Sequence, residues 1–165
     1  MDDPGSIIFK LVLLFVLILV NAFFAMSEIA IISLNDNMID KLSEEGHKKA
    51  KMIKKLTENP SNFLSTIQIG VTLAGFLTSA SASQTFADML VKAFEGSAVE
   101  KVLGASVING ISVVVITLIM SYFSLVFGEL VPKKIAMQKP EAISFKVVGV
   151  LLFISKVFSP VVKVL

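Results

Sequence analysis

The chain of 165 residues is 55% hydrophobic and only 17% charged, and its mean hydropathy is +0.83. A water-soluble domain of this length needs a polar shell that such a composition does not supply, so we expect an all-α integral membrane protein. Cysteine is absent, which excludes disulfides, thiolate metal sites and cysteine nucleophiles. The net charge of +2 is too small to indicate a nucleic-acid partner.

Residues 1–6 have the composition of a polar leader or a cloning remnant, and residues 7–165 are expected to form one membrane domain. The first apolar segment, about 7–34, is aliphatic and aromatic in its first half. Asn21, Ser27 and Glu28 interrupt its second half, and Asn21 and Glu28 lie on one helical stripe. Such a helix is expected to face lipid first and to pack against protein afterwards.

Residues 35–61 mix lysines and acidic residues with apolar residues at helical spacing. This pattern predicts two short amphipathic helices at the cytoplasmic membrane surface, broken at Gly46 and ended at Asn59-Pro60. Two further apolar segments, about 62–94 and 102–131, each carry a stripe of small and polar residues. The stripe of the first consists of Gln68, Thr72, Gly75, Ser79 and Ser83, and that of the second of Thr117, Ser121, Ser124 and Gly128. We expect the stripes of the three segments to converge on a shared interior.

The last block, 142–165, has only a short uninterrupted apolar run, and a juxtamembrane helix along the interface is favoured over a fourth span. The prediction is therefore three transmembrane helices. Six lysines lie in the 35–61 loop and four follow the third segment, against three on the opposite side. The positive-inside rule then places the N-terminus outside and the C-terminus in the cytoplasm.

Glu129 stands at the end of the longest apolar stretch, between Gly128 and Pro132. An ionisable residue at membrane depth costs about 2.5–3.5 kcal/mol on insertion scales and is a candidate functional site. Glycine and proline loosen a helix and free backbone carbonyls, and a carboxylate beside such carbonyls suits Mg²⁺ or Ca²⁺. The alternative is that Glu129 lies at the water interface, which Lys133 and Lys134 mark.

The other polar residues in the apolar segments have two interpretations each. Asn21 could coordinate a cation or hydrogen-bond across helices. Glu28 could be a ligand, although pairing with a lysine is favoured. Gln68 and Thr72 suit interhelical contacts, but their alignment with Glu129 makes them candidate ligands as well.

Catalysis by this chain is not expected. The only histidine, His47, lies in the lysine-rich loop, and no HExxH pattern occurs. The serines of the apolar segments have no base at membrane depth and are interpreted as helix-packing residues.

Three stretches, in order, resemble the signatures of a known family. They are NAFFAMSEIA at 21–30, Asn59-Pro60 followed by LSTIQIG at 64–70, and FGELVPK at 127–133. Over about residues 7–165 the chain is similar to the membrane domain of the cyclin M/CorC group of magnesium transporters.

The resemblance implies a plasma-membrane homodimer with three membrane helices per subunit and a juxtamembrane helix. It further implies Mg²⁺ export, with Na⁺ coupling proposed for parts of the family, and a cytosolic CBS region in full-length members. The motifs carry ion-binding positions over to Asn21, Ala25 and Ser27, and to Gly128 and Glu129. With the stripe residues included, the predicted metal ligands are Glu129, Gly128, Asn21, Ser27, Gln68, Thr72 and Ser124.

The chain departs from the family pattern in two places. Where many members have asparagines after the second-helix glycine, this chain has Val71, Thr72 and Gly75, and Ala25 replaces a frequent serine. With fewer side-chain oxygens, a bound Mg²⁺ would keep more of its water. The alternative function is a non-transporting membrane anchor or Mg²⁺-sensing module, whose polar stripes only hold a dimer together.

Overall fold

The computed structural model describes residues 4–94 and 104–162, and this part of the chain is almost entirely helical, without a strand. Its first four helices are α1 (Pro4–Ile32), α2 (Asp36–Glu44), α3 (Lys48–Thr57) and α4 (Pro60–Phe94). They are followed by α5 (Ala105–Leu125), one π-helical turn (Val126–Leu130), α6 (Val131–Gln138) and α7 (Pro140–Val162). The all-α class is confirmed. A domain boundary at residue 6 stays a prediction, since residues 1–3 lie outside the described ranges.

Four helical stretches of the described chain are long and apolar enough to cross a membrane, namely 7–32, 60–82, 105–138 and 140–160. The first three overlap the three predicted spans, and the fourth overlaps the block predicted to be a juxtamembrane helix. About 20 helical residues cover the hydrocarbon core. A helix of that length can also lie flat on the membrane, so the neighbours of α7 carry more information than its length.

Helix α1 changes its surroundings halfway along its length. Among its described side chains before Asn21, Leu14 alone is buried, and most of the others are exposed. The second half buries Asn21, Phe24, Ala25, Ser27, Ala30 and Ile31 against the other helices. The prediction that α1 packs against protein only in its second half is confirmed.

Helices α2 and α3 connect α1 to α4 at one end of the bundle. Asn35 Oδ1 accepts the Met38 N–H, and His47 Nδ1 accepts the Ala50 N–H, both at 3.3 Å, so each helix begins with a side-chain cap. Gly46, at φ 92°, makes the turn between them, in a conformation that L side chains rarely adopt. Two helices broken at Gly46 are therefore confirmed.

The largest buried cluster lies where α3 and α7 meet the second half of α1 and the start of α4. Its members are Phe24, Ile31, Ile39, Ala50, Ile53, Leu56, Phe63, Ile67, Val147, Val148 and Leu151. Burying one large apolar side chain away from water contributes about 1.5–3 kcal/mol, so packing fixes α2 and α3 to the bundle. The hydrogen bond from Lys54 Nζ to Asp40 Oδ1, at 2.7 Å, links α3 to α2 and raises the pKa of Lys54.

Helix α4 turns a different side towards α1 from the one expected. At Gly70 a Cβ would lie 2.6 Å from the Phe24 ring, so only glycine permits this approach. Gln68 and Thr72 are exposed, and a Cβ on Gly75 would meet nothing within 4 Å. The buried stripe consists of Phe63, Thr66, Ile67, Gly70, Ala74, Thr78 and Ala82. Because Gly70 packs on Phe24, Gln68 and Thr72 face outward within one subunit, and Ser121 of the α5 stripe is exposed as well. The three predicted stripes therefore do not converge inside the subunit, and their convergence on a shared interior stays a prediction for an assembly of subunits.

Candidate cation site

The helix that carries Glu129 is interrupted at the third motif. Over Val126–Leu130 the backbone widens into a π turn, in which the Val131 N–H donates to the Val126 carbonyl, five residues earlier. Pro132 has no N–H and cannot give the Gly128 carbonyl its α-helical bond. The prediction that this segment loosens the helix is confirmed. π turns inside α-helices are frequent at functional sites.

Gly128 contacts Asn21 across the helix interface. Gly128 is buried within the π turn, and Asn21 on α1 is only 5% exposed. A Cβ on Gly128 would lie 2.8 Å from Asn21 Nδ2 and 3.4 Å from Asn21 Cβ. Glycine is therefore required for the π turn to approach α1 this closely. Two residues from separate sequence motifs thus meet in the fold.

Two buried oxygens of α1, Asn21 Oδ1 and Ser27 Oγ, have no hydrogen-bond partner among the described residues. An unpaired buried polar atom costs about 1–3 kcal/mol, and native proteins nearly always provide a partner for it. Neutral oxygens of this kind are suitable ligands for a hard cation. Asn21 and Ser27 are six residues apart, which corresponds to about 9 Å along α1. Of these two residues, Asn21 is the one that contacts Gly128.

Three charged side chains, one of them from the π turn, lie close to one another. Lys133 Nζ lies 2.8 Å from Glu129 Oε1 and 3.3 Å from Glu28 Oε2. We call Glu28, Lys133 and Glu129 the charged cluster. Its side chains are between 26% and 34% exposed, so water screens them only in part. The expected pairing of Glu28 with a lysine is confirmed.

The charged cluster can attract cations. Its one positive and two negative charges leave a net charge of −1. The described residues contain no group of three or more histidine, aspartate or glutamate side chains able to hold a metal. A metal in this region would therefore depend on two carboxylates, neutral oxygens and water. That donor set fits Mg²⁺, which usually keeps several waters.

Lys133 is the residue whose importance the sequence analysis missed, since it was interpreted only as a boundary marker. The i,i+4 spacing from Glu129 to Lys133 is a signal that could have found one of its ion pairs. Its contact with Glu28 joins two distant helices and has no local signature. Ser144 on α7 was also missed: it is fully buried, and its Oγ has no partner within the described chain.

Three predicted ligands are not brought into this group by the fold. Gln68 and Thr72 are exposed on α4, and Ser124 is half-buried on α5, one turn before Gly128. Their role as ligands stays a prediction, as does that of Asn21, Ser27, Gly128 and Glu129.

A cleft of about 490 Å³ lies between the end of α1, α2, α3 and the start of α4. Asp36, Asp40 and Glu58 line it together with Lys54. The ion pair between Lys54 and Asp40 already neutralises one carboxylate there. None of the predicted ligands lines this cleft, so we place the candidate cation site at the π turn.

The chain is similar to a known protein family and to several known proteins. The family described as "CNNM: Cyclin M transmembrane N-terminal domain" matches residues 12–165. The chain is 37% identical over 161 residues to UPF0053 protein sll0260 of Synechocystis sp., covering 98% of this chain and 35% of that protein. UPF0053 protein YhdP of Bacillus subtilis is 36% identical over 137 residues, covering 83% of this chain and 30% of that protein.

A protein of Haemophilus influenzae named polyamine export protein is 30% identical over 150 residues, covering 88% of this chain and 33% of that protein. The chain thus spans about a third of the length of these relatives. The family match extends over nearly the whole sequence and includes all three motifs. The chain therefore belongs to the cyclin M transmembrane N-terminal domain family.

Proposed function

We propose that this chain is the membrane module of a cation exporter, with Mg²⁺ as its cargo. The observation that carries the proposal is the contact between the π turn and the buried Asn21, whose amide oxygen is unpaired, beside a charged cluster of net charge −1. Dehydrating a cation needs hard oxygen atoms at membrane depth, and this region supplies them. A membrane anchor needs no such unpaired oxygen, whereas a Mg²⁺ sensor would use the same site and differ only in moving no ion.

In this proposal Lys133 acts as an internal cation. Its ammonium group occupies the space between Glu28 and Glu129. An arriving cation has to share these carboxylates with Lys133 or displace it. Because an unpaired carboxylate away from water is unfavourable, Lys133 protects the two carboxylates while no cargo is bound.

A polyamine is the second candidate cargo, and the charged cluster itself favours it. The ammonium of Lys133 already shows that a primary ammonium group fits between the two carboxylates, at 2.8 and 3.3 Å. The relative named polyamine export protein points to the same class of cargo. Mg²⁺ remains our first choice, since a partly dehydrated metal ion needs neutral oxygen ligands such as the unpaired amide oxygen of Asn21, whereas the carboxylates alone would satisfy an ammonium group.

Three membrane helices per subunit, with α7 on the membrane surface, are supported by the neighbours of α7. The Phe145 ring lies 5.1 Å from that of His47, which caps the start of α3. A Cβ on Gly149 would lie 3.6 Å from Lys49 Nζ on α3. Ser159 shares a cleft with Asn59, just beyond the end of α3. Helix α7 therefore packs against α3, and it also contacts α1 and α4.

The composition of α3 indicates the depth at which the adjoining part of α7 lies in the membrane. It carries five lysines and is too polar for hydrocarbon. The turns of α7 that pack against α3 therefore lie near the same depth, which supports a helix at the membrane surface over a fourth span. The stripe of Val150, Phe153 and Val157 on α7 is exposed and suits the lipid side of an interfacial helix.

A homodimer is proposed through the outward side of α4. Gln68 and Thr72 are exposed, and Gly75 leaves open space beside the helix. Small residues let membrane helices approach closely, so a second copy is the expected neighbour. The orientation with the N-terminus outside, the plasma-membrane location and a cytosolic CBS region in the whole protein remain part of the same proposal.

The test is Mg²⁺-dependent thermal stabilisation of the purified chain in detergent. We expect Mg²⁺ to raise the melting temperature of the wild type and Glu129→Gln to abolish that rise, because the variant keeps the shape of the side chain but removes its charge. Glu44→Gln, at an exposed carboxylate on α2, is the matched control and should behave as the wild type.

Each outcome separates the candidates. If the chain is only an anchor, Mg²⁺ should not raise the melting temperature of the wild type. If Glu129 lies at the water interface and binds no metal, Mg²⁺ should stabilise Glu129→Gln as much as it stabilises the wild type. A rise with spermidine that exceeds the rise with Mg²⁺ would favour the polyamine. Mg²⁺ flux from liposomes, with and without a Na⁺ gradient, then distinguishes transport from binding and tests Na⁺ coupling.

A further inference from the structure

A second cleft, of about 270 Å³, lies between the end of α3, the first turn of α4 and α7. It is separate from the cation site, since no residue of the charged cluster or the π turn lines it. Its polar lining comes from Lys55, Asn59, Asn62, Ser155, Lys156 and Ser159. We call it the basic cleft.

The two lysines of the basic cleft lack acidic partners. No described carboxylate lies within ion-pair distance of Lys55 or Lys156, and none lines the cleft. The neighbouring Lys54, by contrast, is bonded to Asp40. A recess lined by charges of one sign concentrates their potential, so the basic cleft attracts an anion.

The amide and hydroxyl groups in the same lining complete the recognition of an anion. Asn59 and Asn62 carry side-chain N–H groups, and Ser155 and Ser159 carry O–H groups. Such donors, together with lysine ammonium groups, are the partners that phosphate oxygens require. Carboxylates, which would repel a phosphate, are missing from the described lining.

The position of the basic cleft selects the source of the phosphate. Asn59 and Asn62 flank the first turn of α4, where the apolar stretch 60–82 begins. Leu56, Phe63 and Leu152 form the apolar part of the lining. The exposed Phe153 and Val157 of α7 continue this apolar surface beside Lys156. A cleft that is polar on one side and apolar on the other, at the start of an apolar helix, matches the boundary between lipid headgroups and acyl chains.

We propose that the basic cleft binds the phosphate of an anionic phospholipid headgroup. Lys55 and Lys156 neutralise the phosphate from α3 and α7, and the asparagines and serines donate hydrogen bonds to its oxygens. The acyl chains lie over the apolar surface of α7. Basic pockets between membrane helices are known to hold such headgroups. The bound lipid joins α3 and α7, and this role does not depend on which cation is the cargo.

The experiment measures phosphatidylglycerol binding to the full chain, by native mass spectrometry and by melting temperature in phosphatidylcholine nanodiscs with added phosphatidylglycerol. The test variant is Lys55→Gln/Lys156→Gln. Its control is Lys41→Gln/Lys51→Gln, which removes the same charge from exposed positions on α2 and α3. Because the change removes two charge-assisted contacts with the phosphate, the cleft variant should bind about 30-fold more weakly. The control should retain nearly all of its affinity.

A second variant keeps the test independent of folding. Lys55→Arg/Lys156→Arg preserves both charges and should retain the lipid. An equal loss in the cleft variant and the control would overturn the proposal, since it would indicate general attraction to the surface. Glycerol 3-phosphate, added to nanodiscs without phosphatidylglycerol, should give no rise in melting temperature. A rise equal to that with the lipid would overturn the assignment to a phospholipid in favour of a free phosphate ligand.

Discussion

The contact between Gly128 and Asn21 gives the most quantitative test of the candidate site. Replacing a helical glycine by alanine is ordinarily stabilising by about 0.5–1 kcal/mol. At Gly128 the added Cβ would lie 2.8 Å from Asn21 Nδ2, so the π turn or α1 has to move. Overpacking of this kind costs about 1–3 kcal/mol. We expect Gly128→Ala to be destabilising by about 1–2 kcal/mol in net terms.

Two further variants show whether that cost arises at Asn21. Gly110→Ala, on α5, adds a Cβ that meets nothing within 4 Å and should be neutral or slightly stabilising. Asn21→Ala removes the side-chain amide that the Cβ of Gly128→Ala would approach too closely. The double variant should therefore recover about 1–2 kcal/mol relative to the sum of the single changes, which is the coupling energy of residues in contact.

The assay is the free energy of unfolding in mixed micelles, measured by SDS titration for the wild type, both single variants and the double variant. Additive effects at Gly128 and Asn21 would refute the contact. Equal stabilisation by Gly128→Ala and Gly110→Ala would refute the close approach of the π turn to α1. Either result would remove the geometric basis of the candidate cation site.

Three other predictions concern the charged cluster, the dimer and the orientation. Lys133→Met should strengthen Mg²⁺ binding at least about tenfold, because a unit charge 4 Å away is worth about 4 kcal/mol at an effective dielectric constant of 20. Lys134→Met, at an exposed neighbour, should have little effect. Gly75→Leu should convert a dimer into a monomer that remains folded, as shown by crosslinking and mass in detergent, since the subunit leaves open space there. Single cysteines at Glu45 and Phe94 should react with an impermeant maleimide from the cytoplasmic and outer side respectively.

Each of these three predictions has an outcome that would contradict it, and some have a matched control. Weaker Mg²⁺ binding in Lys133→Met would show that the lysine positions the carboxylates and does not compete with the metal. Ala80→Leu adds the same side chain to another exposed position of α4 and should leave the dimer intact. Loss of dimer in both variants would disprove the proposed interface. Reversed labelling of the two cysteines would invert the orientation, and the absence of native cysteine makes that reading direct.

The features that depend on neighbours in the sequence could be predicted, and those that depend on helix rotation could not. The break at Gly46 and the loosened helix around Gly128 follow from local backbone chemistry. For α4, the sequence shows which residues share a stripe but not which stripe faces α1. The approach of Gly70 to Phe24 decides that question, and it depends on the volume of a ring on another helix. Pairing of Glu28 with a lysine was predicted, but the identity of that lysine as Lys133 escaped prediction for the same reason.

The charge count of the cluster sets different conditions for monovalent and divalent cations. With Lys133 in place, one Na⁺ brings the net charge of −1 to zero, whereas one Mg²⁺ brings it to +1. If Lys133 leaves, the two carboxylates alone balance one Mg²⁺. Uncompensated charge is unfavourable where water is partly excluded, so each ion favours a different position of the lysine. In the proposed function, the same two glutamates accept either valence, and the position of the Lys133 side chain differs between the two bound states.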